Sequence, residues 1–169
     1  MGLPMEVLRS RLSNEVSACQ RYLRHRIEVS NEAYSEFPLE IRIDMEDVPA
    51  LVLVDGDLVK IFDHTFSMII NEEYPFEKPL VIWRTPIFHP NIMAPDDGGH
   101  VCIKLLDDWS FNSTLLSFVK GIETLLLNPN PSSPFGTSSC TAAAEYFNCG
   151  RRTAPPVICK PLPKVVRGE

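Results

Sequence analysis

Residues 74–134, YPFEKPLVIWRTPIFHPNIMAPDDGGHVCIKLLDDWSFNSTLLSFVKGIETLLLNPNPSSP, carry the reading that decides the fold. Pro79 precedes Leu80-Val81-Ile82-Trp83, an apolar run with the length of a buried strand. From 85 to 108 three prolines and Gly98-Gly99 exclude a long helix or strand. A loop that long in a compact domain is functional or disordered. Ile87, Phe88, Ile92, Val101 and Ile103 run through it, so it is expected to be packed and functional. Over 112–128 the period changes to that of a helix, with Leu115, Leu116, Val119, Ile122, Leu125 and Leu126 on one stripe. Ser110, Asn112 or Ser113 is expected to cap its start, and Pro129 ends it.

Towards the N-terminus, Leu39, Ile41 and Ile43 alternate with Glu40, Arg42 and Asp44, the pattern of a half-buried strand. Asp55-Gly56 separates two apolar runs and predicts a tight hairpin; 65–70 continues the β pattern. Before these, Met5, Leu8, Leu12, Val16, Cys19, Leu23 and Ile27 recur in steps of three and four, one face of an amphipathic helix. Arg9, Arg21 and Arg24 lie off that stripe and should face water. Beyond the central helix a short one is expected over 141–148, then a Pro-rich basic tail. The order predicts an α+β domain: N-terminal helix, four-stranded antiparallel meander, long loop, central helix and a truncated C-terminal helical part. The expected division is a core of 1–149 and a tail of 150–169.

The chain has 169 residues, which suits one domain of about 100–200 residues. No apolar run reaches the ~20 residues of a membrane span, and 1–6 lack a secretory pattern. Five cysteines, an odd number, with no Cys-x-x-Cys pair, are expected to be reduced thiols of a cytoplasmic protein with no metal site. The net charge of −6 is distributed as +3 over 1–26, −13 over 27–149 and +4 over 150–169. That excludes a uniformly basic nucleic-acid footprint and is compatible with a basic first helix meeting an acidic partner, or with solvated charge. The protein is expected to be a monomer, off the membrane and not bound to nucleic acid.

In order and spacing, Tyr74-Pro75-Phe76-Glu77-Lys78-Pro79, Phe88-His89-Pro90-Asn91-Ile92, Val101-Cys102-Ile103, Trp109-Ser110 and Asn128-Pro129-Asn130-Pro131-Ser132-Ser133-Pro134 resemble the ubiquitin-conjugating enzymes. That resemblance implies an enzyme that accepts ubiquitin or a ubiquitin-like modifier from an activating enzyme as a thioester on Cys102. It would pass the modifier to a substrate lysine, with a RING-type or other ligase. By itself, a cysteine between Val101 and Ile103 reads as a small buried hydrophobe; its register with His89-Pro90-Asn91 makes it the nucleophile. A thiol suits the task, since a few per cent is thiolate at neutral pH. Asn91 matches the residue that stabilises the oxyanion, although locally it also reads as a turn asparagine. His89 and Pro90 are expected to structure the loop. ATP belongs to the activating enzyme, so the chain should need no cofactor.

This chain departs from the family pattern in several places. Ser133 stands where an acidic residue is usual, and Lys104 follows the nucleophile by two. Asp107 or Asp108, or a ligase, would then help to activate the incoming lysine. If 101–104 were extended, His100, Cys102 and Lys104 would share one face, and Lys104 would favour the thiolate. The segment from Asn91 to Cys102 is about three residues longer than usual in the family, putting the placement of Asn91 in question. Phe76, Ser110 and Phe111 match the ligase-docking loops, with Phe111 in place of the usual proline. Arg9, Arg21 and Arg24 match the surface that meets the activating enzyme. Two other readings are a catalytically silent member that only binds modifiers or ligases, and a cysteine hydrolase pairing Cys102 with His89 or His100.

Overall fold

The computed structural model describes residues 2–153, with the side chains of 104, 105 and 150–153 outside the described set. Helix α1 (Met5–Tyr22) buries Leu8, Leu12, Val16 and Cys19, the stripe its sequence predicts. Each fully buried Leu of this kind stabilises the fold by ~2 kcal/mol. The helix stops earlier than its apolar periodicity. Leu23 is already extended and donates its N–H to the Cys19 carbonyl. Arg24 therefore lies beyond the helix, and Ile27 belongs to a strand, β1 (Arg26–Val29). A single apolar residue of a four-residue strand cannot be told from the next step of a helical stripe by periodicity alone.

The remaining strands are β2 (Leu39–Met45), β3 (Ala50–Val54), β4 (Asp57–Ile61), β5 (His64–Ile70) and β6 (Leu80–Trp83). The main sheet is antiparallel and four-stranded, ordered β1-β2-β5-β6. The β3–β4 hairpin forms a separate two-stranded ribbon between two strands that pair with each other. Its turn is the expected Asp55-Gly56, with φ of 49° and 86°. That is the left-handed pair a two-residue hairpin needs.

One face of the sheet carries Ile41, Ile43, Phe66, Met68 and Trp83 into a core shared with α1 and with the central helix α3 (Leu115–Leu127). Phe66 stacks on Trp83 at 5.8 Å. A polar cluster of Glu40, Ser67 and Arg84 joins β2, β5 and the end of β6, where Glu40 accepts from Ser67 Oγ (2.6 Å) and from Arg84 (3.3 Å). The cap of α3 is Thr114, whose Oγ1 accepts from the Ser117 N–H at 3.2 Å. The neighbouring candidates are otherwise engaged: Ser113 Oγ accepts from the Ser110 N–H, and Ser113 N–H donates to the Ser110 carbonyl. Phe118 joins the buried stripe, while Leu116 and Leu125 are only partly buried.

The loop after β6 contains a 3-10 turn (Pro95–Asp97) and one helical turn, α2 (Lys104–Asp107). The last helix, α4 (Ser138–Thr153), is longer at both ends than the 141–148 its sequence suggests. The remainder of the Pro-rich segment, from 154, lies outside the described residues. Among the described residues, no helix is long and apolar enough to cross a membrane.

Candidate active site

The loop that carries Cys102 is packed, as its apolar residues require. Bridges His89–Ile92 and Ile92–Val101 fold it back on itself. Phe88 N–H donates to the Leu51 carbonyl (2.7 Å), and Trp83 N–H donates to the Gly99 carbonyl (2.7 Å). The extra residues between Asn91 and Cys102 are taken up in a closed turn. Met93 N–H donates to the His100 carbonyl (2.9 Å), and Gly99 N–H to that of Ala94 (3.1 Å). Gly99 has φ 67°, and a Cβ there would lie 2.6 Å from the Trp83 carbonyl oxygen. This close approach pins the turn to β6. The lengthening thus loops out without parting its ends: Cys102 N–H still donates to the Asn91 carbonyl at 2.9 Å. The Cys102 thiol is exposed, unlike those of Cys19 and Cys140. Burial, helped by Glu15, pushes the Cys19 thiol up to about 12, the state of an inert packing cysteine.

His89 and Asn91 are buried and form a chain of contacts behind the thiol. Asn91 N–H donates to His89 Nδ1 (3.1 Å), so Nδ1 is bare. Nε2 then carries the proton and donates to the Leu125 carbonyl near the end of α3 (3.0 Å). Burial depresses the His89 imidazole to about 4, against hydrogen bonds that favour the charged form. With both nitrogens occupied, His89 has no lone pair to offer as a base. This weighs against its pairing with Cys102 in a hydrolase.

The Asn91 amide is also fully engaged. Nδ2 donates to the Asn130 carbonyl (3.0 Å) and the Ser133 carbonyl (3.2 Å), while Oδ1 accepts from Asn130 N–H (2.8 Å). Pro90 adds another tie, its carbonyl accepting from Phe135 N–H (3.0 Å). The side chain of Asn91 thus staples the Asn128-to-Pro134 turn to the cysteine loop. The Ser133 residue is exposed, as are Asp107 and Asp108. Lys104 opens the α2 turn, so the extended run that would align it with Cys102 ends before it; its side chain is outside the described set.

Phe76 and Phe111, which the resemblance implies face a ligase, come together. Phe76 and Phe111 are about half exposed, and their rings lie 5.5 Å apart. Trp109 Nε1 donates to the Pro75 carbonyl at 2.8 Å, tying the two loops. Ser110 is exposed beside them. Arg9 and Arg21 are exposed on α1, twelve positions or about 18 Å apart, and Arg24 is exposed past its end.

Sequence reasoning missed Arg11 and Glu15. Glu15 Oε2 accepts from Tyr74 OH (2.7 Å) and from Leu115 N–H (2.8 Å), and Oε1 accepts from Arg11 Nε (2.8 Å). Burial and the Glu15 carboxylate both raise the Tyr74 phenol. In sequence the pair shows only as an i,i+4 Arg–Glu spacing, which on most helices is a surface ion pair. A cleft of 890 Å³ lies between the β3–β4 hairpin, the end of α3 and α4, where Phe88, His89, Leu127 and Tyr146 line it; Cys102 does not. Among the described residues, no group of three or more His, Cys, Asp or Glu side chains could hold a metal ion.

The structure thus presents an exposed cysteine on a loop braced by the buried Asn91 and by the turn that follows α3. The ubiquitin-conjugating enzyme family model matches residues 50–149, and the chain belongs to that family. It is similar to the NEDD8-conjugating enzyme UBC12 of Saccharomyces cerevisiae, 40% identical over 93 residues, 52% of this chain and 48% of that one. It is also similar to ubiquitin conjugating enzyme E2 B of Dictyostelium discoideum, 36% identical over 91 residues, 53% of this chain and 60% of that one. The chain spans about half the length of these curated relatives. The structure of S. cerevisiae Ubc12 superposes with a TM-score of 0.64 at 24% identity, covering 88% of this chain and 73% of that one, which shows the shared fold.

Proposed function

We propose that this chain carries ubiquitin or a ubiquitin-like modifier as a thioester on Cys102 and transfers it to lysine, with a ligase docked on the Phe76 and Phe111 loops. The exposed Cys102, held by its N–H on the buried Asn91, supports this reading most directly. In the first step the Cys102 thiolate attacks the modifier's terminal carbonyl carbon, held as a thioester on the activating enzyme. The new S–C bond forms and the activating enzyme's thiolate leaves. In the second, a neutral lysine amine attacks the same carbonyl, an amide forms, Cys102 leaves as thiolate, and the amine's proton passes to solvent or a nearby carboxylate. ATP is consumed by the activating enzyme.

Asn91 contributes under this reading by holding the 130–133 turn against the cysteine loop. A direct hydrogen bond from its amide to the oxyanion would take one donor away from the Asn130 or Ser133 carbonyl. At a free pKa near 10.4 only about one lysine in a few thousand is neutral at pH 7. Asp107, Asp108 or a ligase group supplies the help that Ser133 does not. Arg9, Arg21 and Arg24 offer the activating enzyme a basic face. The names of the relatives make ubiquitin and NEDD8 the first modifiers to try.

The test is charging. The chain is mixed with an activating enzyme, its modifier, magnesium and ATP, and intact mass is read without reductant beside Cys102→Ala. The expected product is an adduct of one modifier mass, removed by thiol reagents and absent from the variant. An adduct that survives in Cys102→Ala would overturn the assignment. No adduct with either modifier would favour a member that binds without carrying.

A further inference from the structure

We infer that Arg11 is a positioning residue that sets the Phe111 ring against Phe76 and so shapes the docking face; the inference rests on the reading of those two loops as the ligase site. Three kinds of contact converge on its guanidinium. Nη2 donates to the Phe111 carbonyl (2.7 Å) and the Ser113 carbonyl (3.0 Å). Its Cζ lies over the Phe111 ring, 4.8 Å from the centroid, and over the Tyr74 ring at 5.5 Å. Nε is held by Glu15 (2.8 Å), which in turn fixes Tyr74 OH and the first N–H of α3.

Each loop is therefore referenced to the same turn of α1. Tyr74 leads into Phe76 two residues on, and Phe111 to Ser113 leads into α3. The Phe111 ring has cation on one side and the Phe76 ring close by at 5.5 Å. Phe111 lies in the turn before α3, outside any strand or helix, so its backbone and ring need a constraint from elsewhere. Arg11 supplies it through carbonyl hydrogen bonds, cation–ring contacts and an ion pair at once. Only a planar group with several fixed donors can make all three; a lysine ammonium is a compact point charge and cannot.

The experiment compares wild type with Arg11→Lys and Arg11→Met, each with Phe111 or with Phe111→Ala. Nuclear Overhauser contacts between the Phe76 and Phe111 rings report position in the free protein. Affinity for an isolated RING domain, chosen from a panel by its binding to wild type, reports consequence. The expected results are loss of the ring–ring contacts in both Arg11 variants, and RING binding weakened about fivefold with Phe111 but unchanged within error with Phe111→Ala. Charging of Cys102 should match wild type. Unaltered ring contacts, an equal loss in both backgrounds, or a parallel loss of charging would each overturn the inference. If no RING domain binds wild type, the ligase reading fails, and the ring contacts still decide the role of Arg11.

Discussion

Acid should destabilise this protein through His89 in a calculable way. The imidazole is buried, with Nδ1 accepting from Asn91 and Nε2 donating to Leu125. Its folded value is about 4, against 6.5 for a free histidine. The unfolded chain therefore binds the proton first. The contribution is fully present above pH 6.5, declines as the pH falls, and is exhausted once the pH passes the folded value near 4. The difference of about 2.5 units amounts to ~3 kcal/mol in total, of which ~2 kcal/mol is lost by pH 5. Little solvent screening applies to a side chain this buried. The assay is urea unfolding of wild type and His89→Gln at intervals from pH 7.5 to 4.5. The carboxylates are common to both, so they cancel in the difference. His89→Gln should be the less stable protein at pH 7.5, and the gap should narrow by ~2 kcal/mol at pH 5. Parallel curves across that range would refute the argument, because they would mean that His89 takes up no proton on unfolding.

Two further substitutions probe the same loop. Asn91→Asp should destabilise the fold by ~3 kcal/mol, more than Asn91→Ala, since a carboxylate facing the Asn130 and Ser133 carbonyls replaces two donors with acceptors; thermal melts of the two variants rank them. Gly99→Ala should cost ~2 kcal/mol, because φ is 67° and the added carbon meets the Trp83 carbonyl at 2.6 Å. Its melting temperature, compared with that of Gly56→Ala, which has φ 86° but open space, separates contact from backbone strain.

Much of this molecule was legible because local chemistry and periodicity carried it. Apolar alternation placed β2, Asp55-Gly56 placed the hairpin, and the Leu and Val spacing placed α1 and α3. What failed was local as well: β1 is four residues long and merged with the helical stripe through Ile27. The cap of α3 fell to Thr114 because Ser110 and Ser113 bond each other. The Cys102, Asn91 and His89 positions could be read from motif order. Their arrangement could not, since the Asn91 partners are about forty residues away in the chain. Nor could Arg11 and Glu15, whose contacts with Phe111 and Leu115 span 100 residues.

Sequence by itself determined the family, the α+β order of elements and the identity of the candidate nucleophile, because these rest on residue type and spacing along the chain. Tertiary structure alone decided that the lengthened loop closes without separating Asn91 from Cys102. It also decided that the asparagine amide is spent on a turn, that His89 is held neutral, and that one turn of α1 holds both the Tyr74 and the Phe111 segments. Hydrogen bonds and ring contacts depend on distance and direction in space, and neither is encoded in the spacing of residues whose backbone has yet to be brought together.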